Sequence, residues 1–94
     1  MARSNSKKPL YRVPFLQHDG SHNGYYTRKP EDIQFAAIGI ESDRGGHKIW
    51  AVADTAELAM KRGTRIQNAQ HGTAFELSEI YIVPRSGEPT IVQQ

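Results

Sequence analysis

Polar and apolar residues change rhythm twice along this chain, and each change marks an element. Leu10-Tyr11-Arg12-Val13 and Phe15-Leu16 form an extended apolar segment interrupted by Pro14. Proline cannot donate to a ladder, so the pattern predicts an edge strand or an extended arm. His18-Asp19-Gly20-Ser21-His22-Asn23-Gly24 follows, with D-G and N-G pairs that tolerate positive φ and predict a turn. Gly24-Tyr25-Tyr26-Thr27-Arg28 would then pair back as a hairpin, and Lys29-Pro30-Glu31-Asp32 resets the chain. From Ile33 to Glu41 the pattern is that of a strand, with Phe35 and Ala37 on one face and Ala36, Ile38 and Ile40 on the other. Ser42-Asp43-Arg44-Gly45-Gly46 is a polar hairpin connection. His47 to Ala53 returns as a second strand, with Trp50 and Val52 assigned to one face and Ile49, Ala51 and Ala53 to the other. A face made mostly of alanine suits a central strand close beneath a helix.

The rhythm then becomes helical. Asp54-Thr55-Ala56-Glu57 reads as a capping box in which Asp54 caps and Glu57 reaches back. The helix is expected from Thr55 to about Asn68. Ala56, Ala59, Met60, Gly63 and Ile66 share one arc, widened by Leu58 and Ala69, while Lys61, Arg65 and Asn68 lie opposite and Arg62 near the border. Gly63 costs a helix interior about 1 kcal/mol against alanine, a cost that close approach to a sheet would offset. Gln70-His71-Gly72 ends the helix and Thr73 opens a third strand, whose alternation slips phase between Leu77 and Ile80; a bulge at Ser78-Glu79 explains the slip. The whole is an α+β fold: an antiparallel sheet with a β–β–α–β core from Ile33 to Val83, an extra N-terminal hairpin, and one amphipathic helix on one face. Residues 1–9 are expected as a flexible basic N-terminal tail, 10–83 as a single domain, and 84–94 as a polar C-terminal tail in which Thr90-Ile91-Val92 can add a short edge strand.

Composition narrows the classes. At 94 residues and 37% hydrophobic content there is material for one core and no second domain. Cysteine is absent, which removes disulfides, thiolate catalysis and sulfur-ligated zinc. No apolar run approaches the ~18 residues of a membrane helix, and Met1 to Lys8 has no hydrophobic stretch behind its positive charge. A soluble, cytoplasmic protein is the expectation. The formal charge of +2 conceals an uneven distribution. Residues 1–30 hold six cations against Asp19, a net +5; residues 31–60 hold six acids against Arg44 and Lys48, a net −4.

Candidate chemistry is sparse. His18, Asp19 and His22 could offer a metal two imidazoles and a carboxylate, but Gly20 and Gly24 place them in a loop with no third and fourth ligand at fixed spacing. No nucleophile elbow, phosphate loop, dinucleotide fingerprint or H-E-x-x-H motif occurs, so neither a catalytic residue nor a cofactor is expected. Two binding readings remain. Aromatic Tyr25 and Tyr26 lie among Arg12, Arg28 and Lys29, and Lys61, Arg62 and Arg65 lie on the helix, a combination able to stack bases and hold phosphates. The acidic middle, Glu31, Asp32, Glu41 and Asp43, could instead meet a cationic protein as a phosphate mimic.

The run Val52-Ala53-Asp54-Thr55-Ala56-Glu57-Leu58-Ala59-Met60-Lys61-Arg62, followed by Gln70-His71-Gly72-Thr73-Ala74-Phe75-Glu76-Leu77, resembles part of a known group. It is similar to the strand, capped helix and H-G-T strand of small phage-encoded anti-CRISPR proteins that inhibit type I surveillance complexes. The similarity covers about Gly46 to Ile82, and Phe15 to Lys29 has no counterpart in it. The resemblance implies a non-enzymatic inhibitor that occupies DNA-binding surfaces of a host nucleoprotein defence complex, acting in the host cytoplasm. The leading expectation is therefore an inhibitor whose acidic residues bind a host protein or nucleoprotein complex. The alternative is a DNA- or RNA-binding accessory protein. Neither expects a membrane or a small-molecule substrate.

Overall fold

The computed structural model describes residues 9–73 and 75–93. Residues 1–8, most of the expected basic tail, lie outside the described residues. The elements are β1 (Leu10–Leu16), β2 (His22–Thr27), a 3-10 turn (Pro30–Asp32), β3 (Phe35–Glu41), β4 (His47–Ala53), α1 (Ala56–Ala69), β5 (Leu77–Pro84) and β6 (Thr90–Gln93). They form an α+β domain with two antiparallel three-stranded sheets, ordered β2-β1-β6 and β4-β3-β5. Among the described residues no helix is long and apolar enough to cross a membrane.

The second sheet is the expected core, and β3 is its middle strand because both of its faces are apolar. Ala36 and Ile38 are fully buried on one face, where they pack with Val52 and Val83 against Val13 and Phe15 of β1. On the other face lie Ala37 and Gly39, and α1 rests there across β3, β4 and β5. A Cβ at Gly63 would stand 2.9 Å from the Cβ of Ala37 and 3.3 Å from Ile80 Cγ2, so the helix approaches as closely as its missing side chain allows. The N-terminal hairpin is thus not an extension of the core sheet. It forms a separate layer, stacked on the face opposite the helix.

Two stitches join the layers. Arg85 bridges to Phe15 and its N–H donates to Gln34 O at 3.0 Å, while Ser86 N–H donates to Pro14 O at 2.9 Å. The chain leaves β5 in one sheet and enters β6 in the other through this corner. The segment read as a polar tail therefore carries a strand, with Tyr11 opposite Ile91 and Arg12 opposite Thr90.

The bulge expected near Ser78 is present: Ile40 pairs with Glu79 and Glu41 with Leu77, leaving Ser78 over, and its Oγ donates to Ile40 O at 3.0 Å. Four local expectations are corrected. A second bulge, at Trp50, puts Ile49 and Val52 on the same core-facing side, and Trp50 turns over Gly39 with Leu77. The helix cap is Thr55 rather than Asp54, since Thr55 has extended backbone angles and its Oγ1 accepts from Leu58 N–H at 3.1 Å. The buried seam of the helix is Ala59 and Gly63, with Met60 38% exposed and Ala56 at the surface. The third strand starts at Leu77 instead of Thr73 because Thr73 closes a turn, its Oγ1 donating to Gln70 O at 2.7 Å while Glu76 Oε1 accepts from Gly72 N–H at 2.7 Å.

The close contact at Gly63 can be tested directly. Gly63→Leu gains helix propensity of up to ~1 kcal/mol, yet overpacking against Ala37 and Ile80 is expected to cost about 1–3 kcal/mol more than that gain. Chemical denaturation should show a lowered midpoint for this variant, and no loss for Thr64→Ala on the exposed side of the same helix.

Candidate functional site

The sheet β2-β1-β6 has one face against the core and one face toward solvent, and its period-2 alternation decides which residues go where. Val13 and Phe15 point inward, so Arg12, Pro14 and Leu16 point outward. On β2, Tyr25 packs on the core cluster, leaving His22, Gly24 and Tyr26 on the outer face. The register places Arg12 opposite Tyr26, Pro14 opposite Gly24 and Leu16 opposite His22. Tyr26 is 57% exposed. Gly24 has a specific role: a Cβ there would overlap the Arg12 side chain from Cγ to Cζ, so the arginine lies down over the glycine backbone with its guanidinium centred above it. The outer face thus presents a tyrosine ring and a guanidinium side by side.

The basic and aromatic residues named from sequence are split by the layers. Arg12 and Tyr26 come together on this face, and exposed Arg28 and Lys29 follow directly at the end of β2. Tyr25 is corrected: its ring is committed to the core side. Lys61 and Arg65 are exposed on α1, which covers the opposite face of the central sheet. Arg62 is on the helix border, and its Nη1 donates to Val52 O of β4 at 2.7 Å, a structural bond. One short ligand cannot touch both Arg12 and Arg65 without wrapping the molecule.

The acidic set is not one surface. Glu31 and Asp32 are exposed in the 3-10 turn ahead of β3, and Asp43 is exposed in the loop after it. The seven residues of β3 between them span about 20 Å. Glu41 is corrected outright: it is 2% exposed, with Lys48 Nζ 3.6 Å from its Oε2. It shares the helix-facing side with Leu77, its partner across the ladder, and cannot meet a macromolecule there.

The turn between β1 and β2, expected from its D-G and N-G pairs, is held by a polar network. Gln17, 4% exposed, donates through Nε2 to Ser21 Oγ at 2.8 Å and His47 O at 3.3 Å, and its Oε1 accepts from Asn23 Nδ2 at 3.1 Å. His18 stacks on Tyr81 with ring centroids 3.9 Å apart. Tyr81 Oη accepts from His18 N–H at 3.0 Å and shares a second hydrogen bond with His47 Nδ1 at 2.6 Å. Burial is the main influence raising the Tyr81 pKa above its ordinary 10.0, which keeps the phenol protonated. His18 and His22 thereby diverge, one onto Tyr81 and the other onto the outer face. Among the described residues no group of three metal-capable side chains gathers. The sequence names His22 only as a metal candidate and does not name Tyr81; counting back two by two from Tyr26 puts the first on the outer face, whereas the Tyr81 contact spans 63 residues and leaves no local signal.

No protein-family model, curated protein or solved structure matches this chain.

Two outcomes follow for the turn. Tyr81→Phe removes both hydrogen bonds of the hydroxyl and is expected to cost about 1–3 kcal/mol, with hydrogen exchange accelerated more at the His18 amide than at the amides of β1. Asp19 Oδ1 accepts from Ser21 Oγ at 2.7 Å and from its N–H at 3.1 Å, and these bonds, the hydroxyl first, hold the carboxyl below its ordinary 3.8. For a carboxyl lowered in the fold, the stabilisation is complete above 3.8 and is lost as pH falls through the depressed value. An NMR titration of the Ser21 amide should therefore show a transition whose midpoint lies below 3.8, absent in Asp19→Asn.

Proposed function

We propose that this chain is a non-enzymatic binding protein that holds single-stranded nucleic acid on the outer face of the β2-β1-β6 sheet. The observation that carries the reading is Arg12 lying over Gly24 beside exposed Tyr26. Bases stack on tyrosine rings and guanidinium planes whatever their identity, and a cation among them neutralises phosphate. Arg28 and Lys29 extend the positive charge along the same strand end. The sheet supplies the position, since its inner face is fixed by Val13, Phe15 and Tyr25.

The inhibitor reading, in which carboxylates imitate phosphate, calls for Glu31, Asp32, Glu41 and Asp43 on one surface. One is buried and the others stand at opposite ends of β3, so the acidic set gives that reading no support. A host nucleoprotein complex could still be reached through the nucleic acid it carries.

Fluorescence anisotropy with labelled oligothymidylate and oligouridylate, at low and physiological salt, tests the proposal. Stacking contributes about 1–3 kcal/mol per base, so Tyr26→Ala is expected to weaken binding by about 10- to 100-fold. Gly24→Ala, which displaces Arg12 without removing its charge, should weaken it in the same direction. Charge reversal at Lys61 and Arg65 should leave affinity nearly unchanged. Absence of binding at low salt, or a larger loss from the helix variant than from Tyr26→Ala, would overturn the reading.

A further inference from the structure

The outer face holds a third planar group. His22 is exposed and lies four residues from Tyr26 on the same strand and the same side, with Gly24 midway between them. Because the Arg12 guanidinium is centred over Gly24, the three planes run in a row along β2: Tyr26, Arg12, His22. A strand rises ~3.3 Å per residue, so neighbouring groups in the row stand about 6–7 Å apart, and the ends about 13 Å apart.

That spacing discriminates. Bases stacked in a duplex strand recur at about 3.4 Å along the axis, half the separation of the groups on the sheet. A strand can lay one base on each group only when its bases are unstacked and its backbone extended. We infer that His22 is a second base-stacking position, and that the Tyr26–Arg12–His22 row selects unstacked single strands over duplex. The inference rests on the reading of this face as a nucleic-acid surface and adds its footprint and selectivity. Leu16 stands opposite His22 and Pro14 opposite Gly24, giving the row an apolar margin on which sugars can lie. The inner neighbours Asn23 and Tyr25 are occupied with Gln17 and the core, so the row cannot close by turning β2 over.

The experiment measures anisotropy with oligothymidylates and oligouridylates of increasing length, thymidine monophosphate as competitor, and a duplex of matched length, on the full chain and on His22→Ala, His22→Phe and Tyr26→Ala. His22→Ala is expected to weaken a short oligonucleotide about tenfold and the mononucleotide, for which Tyr26 and Arg12 remain, by much less. His22→Phe should restore the affinity, since a phenyl ring stacks but carries no charge. Duplex should bind at least about tenfold more weakly than the single strand. If Tyr26→Ala weakens oligonucleotides and His22→Ala does not, the inference is overturned and the reading of the face stands. If His22→Phe fails to rescue, or duplex binds as well as single strand, the contact is one of charge and the row of stacking planes is refuted. If no oligonucleotide binds, the reading of the face fails and the inference with it.

Discussion

Everything in this molecule depends on how thin β3 is. A seven-residue strand carries a layer on each side, and it can do so because Ala37 and Gly39 give the helix almost no bulk to clear while Ala36 and Ile38 supply the opposite face. The helix answers with Ala59 and Gly63, the small residues that it buries. Packing of this kind gains stability from close contact between backbones more than from large side chains, which suits a chain with modest apolar content. The Trp50 ring fills the space that Gly39 leaves, so the bulge in β4 and the glycine in β3 form one arrangement.

Because the core is closed by the helix on one side, the N-terminal sheet is free to commit only one face to packing. Val13, Phe15 and Tyr25 tie it down, and the Gln17 and Tyr81 bonds fix the turn at its tip. What remains uncovered among the described residues is a short strip whose side chains alternate outward by the elementary period of a strand. The strip owes its chemistry to the residues and its flatness to Gly24, whose missing side chain lets Arg12 lie parallel to the backbone.

Much of this was legible in the chain, for reasons that can be named. The faces of β3, the alanine side under the helix and the phase slip at Ser78 are all local periodicities. The Trp50 bulge was not, because an extra residue in a strand whose neighbours are apolar on both sides leaves no break in the pattern. The Thr55 cap differs by one residue from Asp54, and both are residue types whose side-chain oxygen accepts from a first-turn amide. The stacking of the hairpin as a separate layer depends on contacts between distant segments, such as Phe15 with Arg85, that no local rhythm encodes. The acidic residues disperse for a different reason: neighbours in sequence are not neighbours in space here, since β3 separates Asp32 from Asp43 and the ladder turns Glu41 inward. On the basic side the same layers divide Arg12 from Arg65, while the inward alternation removes Tyr25 and exposes His22.

The pairing of β1 with β6 joins the beginning of the described chain to its end. During synthesis β1 and β2 emerge before the central sheet and can form their hairpin at once, yet the outer partner of β1 is made roughly eighty residues later. Until then β1 exposes an unpaired edge, and Val13 and Phe15 have no central sheet to cover them. Pro14, which cannot donate to a ladder, and Arg12, which repels its own copy, both sit on that waiting strand. The same two residues that shape the outer face of the sheet would thus also guard the nascent chain against pairing with its neighbours on a polysome.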